Sequence, residues 1–204
     1  IAMTIRGGSN ATGNAGNVGI GTESPDSKLH VVSDEVVLGS VITDYRDLAI
    51  QVETTQETAN SGTGISFDHG ALGAAIASAR TTNSTWGTDL RFYTHPDATT
   101  NQRNVTERMR INSDGNVGIA AIPGAVTSNI RVLRIGQRGV FSAYTNSGNV
   151  YMSNNVRVIS NGNNTAIVTG ESAQYRQDGG THIWYNAASV SAEAVSTLTE
   201  RMRI

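Results

Sequence analysis

The sequence predicts an all-β chain assembled from repeated β-hairpin and β-sheet modules. Three observations predict it: a β-branched bias, short runs of alternating polarity, and two strings that return. Val and Ile together supply 34 residues against 7 Leu, and β-branched side chains suit pleated, half-buried surfaces better than helices. Thr, Ser, Asn and Gly supply 82 of the 204 residues, which gives many turns and polar strand faces. Leu, Ile, Val and Phe total only 44. That is a thin supply for a solitary core, and identical chains sharing one core would relieve it.

The returning strings order the elements. Thr106-Glu107-Arg108-Met109-Arg110-Ile111 recurs unchanged as Thr199-Glu200-Arg201-Met202-Arg203-Ile204. Gly16-Asn17-Val18-Gly19-Ile20 recurs as Gly115-Asn116-Val117-Gly118-Ile119. A proline follows each, Pro25 and Pro123, and then a strand-like run, Leu29-His30-Val31-Val32 or Ile130-Arg131-Val132-Leu133. The spacing, about 90–100 residues, is above the ~20–50 of familiar solenoids and suggests larger modules stacked along an axis. Module one is placed at 1–108 and module two at 109–201, with 202–204 opening a third. Two tandem globular domains sharing a connecting hairpin are the rival organisation. The chain begins and stops in mid-pattern, so both ends read as cuts in a longer polypeptide, and the absence of a targeting signal carries no weight.

Each module opens on a hairpin. Met109 and Ile111 fall on one strand face and Arg108 and Arg110 on the other. Met3-Thr4-Ile5 opens module one less typically. Asp114-Gly115 predicts a tight turn with positive φ at both central residues. Gly118 on the return strand predicts a close backbone neighbour, which in a fibre would lie near the axis. Further along, Gly64-Ile65-Ser66-Phe67-Asp68, Leu90-Arg91-Phe92-Tyr93-Thr94 and Asn155-Val156-Arg157-Val158 alternate as strands. Residues 71–80 are alanine-rich and, like 165–175, are read as strand or loop. Residues 44–51 are ambiguous in the same way. An aromatic pair ends each variable middle, Phe92-Tyr93 and Trp184-Tyr185.

Little in the chain predicts chemistry. The net charge is -2, with no basic excess to hold a nucleic acid. Cysteine is absent, which removes disulfides and thiolate metal sites. No apolar run approaches the ~20 residues of a membrane helix. His30, His69, His95 and His182 are scattered, and Asp68-His69 is the one tight acid–His pair, read as an exposed loop. Asp114-Gly115-Asn116 lacks the acidic residue twelve places on that a calcium loop requires. No Gly-x-Ser-x-Gly elbow or phosphate-binding loop occurs. We therefore expect no catalytic residue, metal or cofactor. Three aromatics stand as candidate glycan contacts: Trp86 in the polar loop 81–89, and Trp184 and Tyr185, which alternate on one strand. The plainer reading puts Trp184 in a core and Trp86 over a strand end.

The hexapeptide followed by Asn112-Ser113-Asp114-Gly115-Asn116-Val117-Gly118-Ile119 resembles a signature of bacteriophage tail fibres and related virion appendages. Gly19-Ile20-Gly21-Thr22-Glu23-Ser24-Pro25 and Leu29-His30-Val31 match its continuation. Module two departs from it, with Ala120-Ala121-Ile122-Pro123 in place of Gly-Thr-x-x-Pro. The match covers about a quarter of the chain. It implies an elongated homotrimeric fibre in the extracellular virion, joined to other tail proteins and supporting attachment to the host cell surface, with a surface glycan as a candidate partner. In that family a self-cleaving chaperone commonly lies further along; none of its features occurs in this chain. A glycan-degrading tailspike and a cellular surface adhesin or filament are the rival readings.

Overall fold

The computed structural model describes residues 4–6, 17–20, 22, 27–32, 50, 52–54, 58–69, 72–84, 86–97, 104–124, 126–158 and 164–204. Among them every regular element is a strand, as the β-branched composition predicts, and no helix long and apolar enough to cross a membrane occurs. The chain divides into two compact units, Ile1–Glu53 and Thr54–Ile204. The module boundary at 108/109 falls inside a strand of the second unit. Of residues 44–51, all but Ile50 lie outside the described residues.

The first unit holds a three-stranded sheet of β1 (Thr4–Arg6), β2 (Asn17–Ile20) and β3 (Leu29–Val31). β1 and β2 are antiparallel, β2 and β3 parallel.

The second unit is dominated by an eleven-stranded sheet. Its first half comprises β4 (Gly62–His69), β5 (Leu72–Arg80), β6 (Thr88–Thr94), β7 (Thr106–Ile111) and β8 (Val117–Ile119). Its second comprises β9 (Ile130–Ile135), β10 (Gly139–Tyr144), β11 (Val150–Asn154), β14 (Gly170–Asp178), β15 (Thr181–Val190) and β16 (Thr199–Arg203). Neighbours follow chain order and pair antiparallel, except for the parallel β8–β9 pair. Between β11 and β14 the chain leaves the sheet as a hairpin, β12 (Val156–Val158) with β13 (Asn164–Ala166). Residues 72–80 are thus strand, and 165–175 span the end of β13, a bend and half of β14. Asp68 and His69 end β4 rather than forming a loop.

The enclosed core is small. Ile130, Val132 and Val140 on one sheet face pack with Val158 and Ile167 from the hairpin segment. Asn155 joins the two layers. It is fully buried at φ +59°. Its Nδ2 donates to the carbonyls of Val168 and Glu171 at 3.0 Å each, and its Oδ1 accepts from the Val168 N–H at 2.9 Å.

The returning strings fold the same way in both places. Ile5 pairs with Val18 and Val18 with Leu29; likewise Ile111 pairs with Val117 and Val117 with Leu133. Register therefore matches Leu29 to Leu133, three residues beyond the Ile130 that sequence order suggests. The hexapeptides behave alike. Met109 faces Phe92 and Glu107 faces Tyr93 across a bulge; Met202 faces Trp184 and Glu200 faces Tyr185 across another.

The β7–β8 turn corrects one expectation. Only Gly115 has positive φ, +79°, and the Gly115 N–H donates to the Asn112 carbonyl at 2.9 Å. Paired Asn112 and Asn116 bracket a three-residue loop with its left-handed glycine last, rather than a two-residue turn. Asn112 Oδ1 accepts the N–H groups of Asp114 and Asn116, a local brace typical of Asn in turns. Buried Asn116 then accepts the Val132 N–H on Oδ1 at 3.0 Å, which ties the turn to β9. Gly118 has the close backbone neighbour that a glycine on the return strand predicts. A Cβ there would lie 2.1 Å from the Ala121 carbonyl oxygen and 2.7 Å from Pro123, so the close neighbour is the chain's own crossover loop.

Candidate functional site

The sheet has two unlike faces, and direct cross-strand partners share a face. On one, six residues lie side by side across β4 to β9: Ile65, Ile76, Phe92, Met109, Ile119 and Ile135. On the same face six more cross β9 to β16: Leu133, Phe141, Met152, Tyr175, Trp184 and Met202. The rows meet at β9, where Leu133 and Ile135 are two residues apart. None of the twelve is charged. Many are open to solvent: Ile65 51%, Phe141 42%, Met152 52% and Met202 50% exposed. An apolar band therefore runs from one edge strand to the other, with eight of its twelve residues exposed and Phe92, Met109, Leu133 and Tyr175 half-buried. The first unit repeats the motif on a small scale, with Ile20 40% and Leu29 57% exposed.

The opposite face is polar or covered by the chain itself. On β6 and β7, Arg91 lies directly across from Arg110, an arrangement that repels unless neutralised. Asp89, 3% exposed, supplies one countercharge at 3.2 Å from Arg91 and 2.9 Å from Arg110. Glu107 holds Arg110 through two hydrogen bonds of 2.5 and 2.6 Å. The Glu107 hydrogen bond raises the Arg110 pKa against the opposing effect of burial. Of the charge cluster, the same string on β16 keeps the Arg203–Glu200 pair, on an exposed surface. That pair depresses the Glu200 pKa, chiefly through its hydrogen bond. Further along, burial and then the charge of Arg157 lower the Arg134 pKa, and burial raises that of the Tyr151 phenol.

The three candidate glycan contacts do not converge. Trp86 stands 81% exposed in the loop after β5, with the guanidinium of Arg80, the last residue of that strand, 4.8 Å from its ring centroid. Trp184 is 36% exposed and belongs to the apolar band, tilted against Tyr175 with ring centroids 5.3 Å apart. It is not core within the chain. Tyr185 points to the other face and lines a cleft of about 320 Å³ with Gln174 and Arg176. Among the described residues no group of three or more His, Asp or Glu side chains is placed to hold a metal ion.

Sequence reasoning identified the alternation in single strands but not the band. Its signal was present: Met and Ile share a face in the hexapeptide, and so do Leu90 and Phe92. Registering one strand against the next required the structure. No protein-family model and no curated protein matches the chain.

Proposed function

We propose that the chain is a structural segment of a bacteriophage tail fibre or similar virion appendage, built from identical chains, three by expectation, and supporting attachment to a host cell surface. The observation that carries this reading is the recurrence of strand pairing. Two strings return in sequence, and each return pairs with equivalent positions in the same register. A sequence that rebuilds one scaffold at intervals suits a modular shaft. The strings themselves go into turn, crossover and strand pairing, which is architectural work. Trp86, exposed and stacked by Arg80 on one side, is the side chain best presented to a surface glycan. The remaining partners are other tail proteins of the virion.

Electron micrographs of the purified assembly test the reading. Particles with one long axis are expected. Round particles would contradict it, and release of reducing sugar from a bacterial surface polysaccharide would move the assignment to a degrading tailspike.

A further inference from the structure

We propose that the apolar band across the eleven-stranded sheet is the surface on which copies of this chain meet, with Phe141, Met152 and Trp184 at the centre of the contact. The proposal rests on the reading of the chain as an assembly of identical chains and names the face that reading requires.

Area is the first argument. Counting Phe67, Leu90 and Val150, which share the face with the two rows, eleven large apolar residues are between 36% and 57% exposed. At roughly 100 Å² of apolar surface for a fully exposed side chain of this kind they present about 500 Å². A soluble monomer rarely exposes more than a few hundred Å² in one patch. A standard protein interface takes about 800 Å² from each partner.

Charge chooses the occupant. The two rows hold no charged side chain, Arg131 and Arg201 border them on the same face, and the rows match a surface of their own kind. Flat apolar sheet faces pack well on one another at ~10 Å spacing. The chain's enclosed core is small, and the band would supply a second core shared between copies.

The recurring hexapeptide fits this role. Each occurrence turns its Met to the band, Met109 opposite Phe92 and Met202 opposite Trp184. A shaft that presents the same side chain to its partner in each module needs the same string each time. Trp184 is on this account an interface residue rather than a glycan contact, which leaves Trp86 as the outward tryptophan.

The test uses the 204-residue chain, its Phe141→Lys/Met152→Lys variant, and a Val195→Lys control. Val195 is 63% exposed and belongs to the segment after β15, off the band. Solution mass is measured by light scattering and strand content by circular dichroism. The expected result is a multimer for the parent and the control, and a folded single chain for the double variant. A double variant that stays multimeric overturns the assignment of the face while leaving the fibre reading standing. A parent that is itself a single chain overturns both. Should the double variant lose its strand signal, acrylamide quenching of Trp184 in a Trp86→Phe background decides. Quenching several-fold weaker than that of free tryptophan is expected in the multimer, and quenching at the level of an exposed indole overturns the proposal.

Discussion

Individual residues in this chain carry backbone tasks that their neighbours cannot take over. Asn155 fills three hydrogen bonds with its side chain while holding a left-handed backbone. Asn155→Ala should therefore cost about 2–4 kcal/mol of stability, read as a shift in the urea midpoint, because buried backbone groups lose their partners. Ala120 holds φ +49° at the place where the first copy of the string has Gly21. Ala120→Gly should raise stability by about 1 kcal/mol, by relieving the clash of Cβ with the backbone in that region. Tyr151 tests the effect of burial. Its phenol has a raised pKa, so the protonated form is favoured in the folded state. The associated stability is complete below pH about 10 and falls as pH rises through the folded value. Absorbance titration at 295 nm should show a late ionisation that disappears in Tyr151→Phe. A titration unchanged by that substitution would show that the buried phenol does not behave as described.

At the scale of elements, the hexapeptide provides its own control. β7 and β16 share a sequence and a bulged register against the preceding strand, yet their surroundings differ. Arg110 neutralises a carboxylate that is 3% exposed, whereas Arg203 meets Glu200 in open solvent. Arg110→Ala should cost about 3 kcal/mol by leaving Asp89 buried and under-compensated. Arg203→Ala should leave the melting temperature unchanged, and equal losses in the two variants would refute this account of the charge cluster. Much of the element level was legible in the sequence, because alternation in Leu90-Arg91-Phe92 or Val156-Arg157-Val158 reports a face directly. The turn at Asp114-Gly115 was legible as a turn but not as its type. Asn112 selects the longer loop by bonding two N–H groups, a choice that a dipeptide signal does not contain. Leu29 and Leu133 were mismatched for a related reason: the crossover between the Gly-Asn-Val-Gly-Ile string and the next strand differs in length, and only register reveals it.

For the whole molecule, composition indicated a chain short of apolar residues for a core of its own, and the structure gives that shortage a location. The enclosed core lies on one side of the large sheet, between β9–β10 and the β12–β13 hairpin segment, while the Ile, Phe, Met and Trp side chains of the other side face solvent. No single strand reveals that arrangement. It emerges when eleven strands are placed in register, so sequence reasoning could propose that copies share a core without naming its residues. The candidate glycan contacts were the least legible, because exposure of an aromatic depends on what the rest of the assembly covers. The most direct test of the shared core is the solution mass of the 204-residue chain, produced with a trimerising domain that is cleaved off before light scattering. The account predicts a mass near three times 21.5 kDa that persists after cleavage. A well-folded species of 21.5 kDa at every concentration would contradict it and leave a chain that tolerates its apolar face in water.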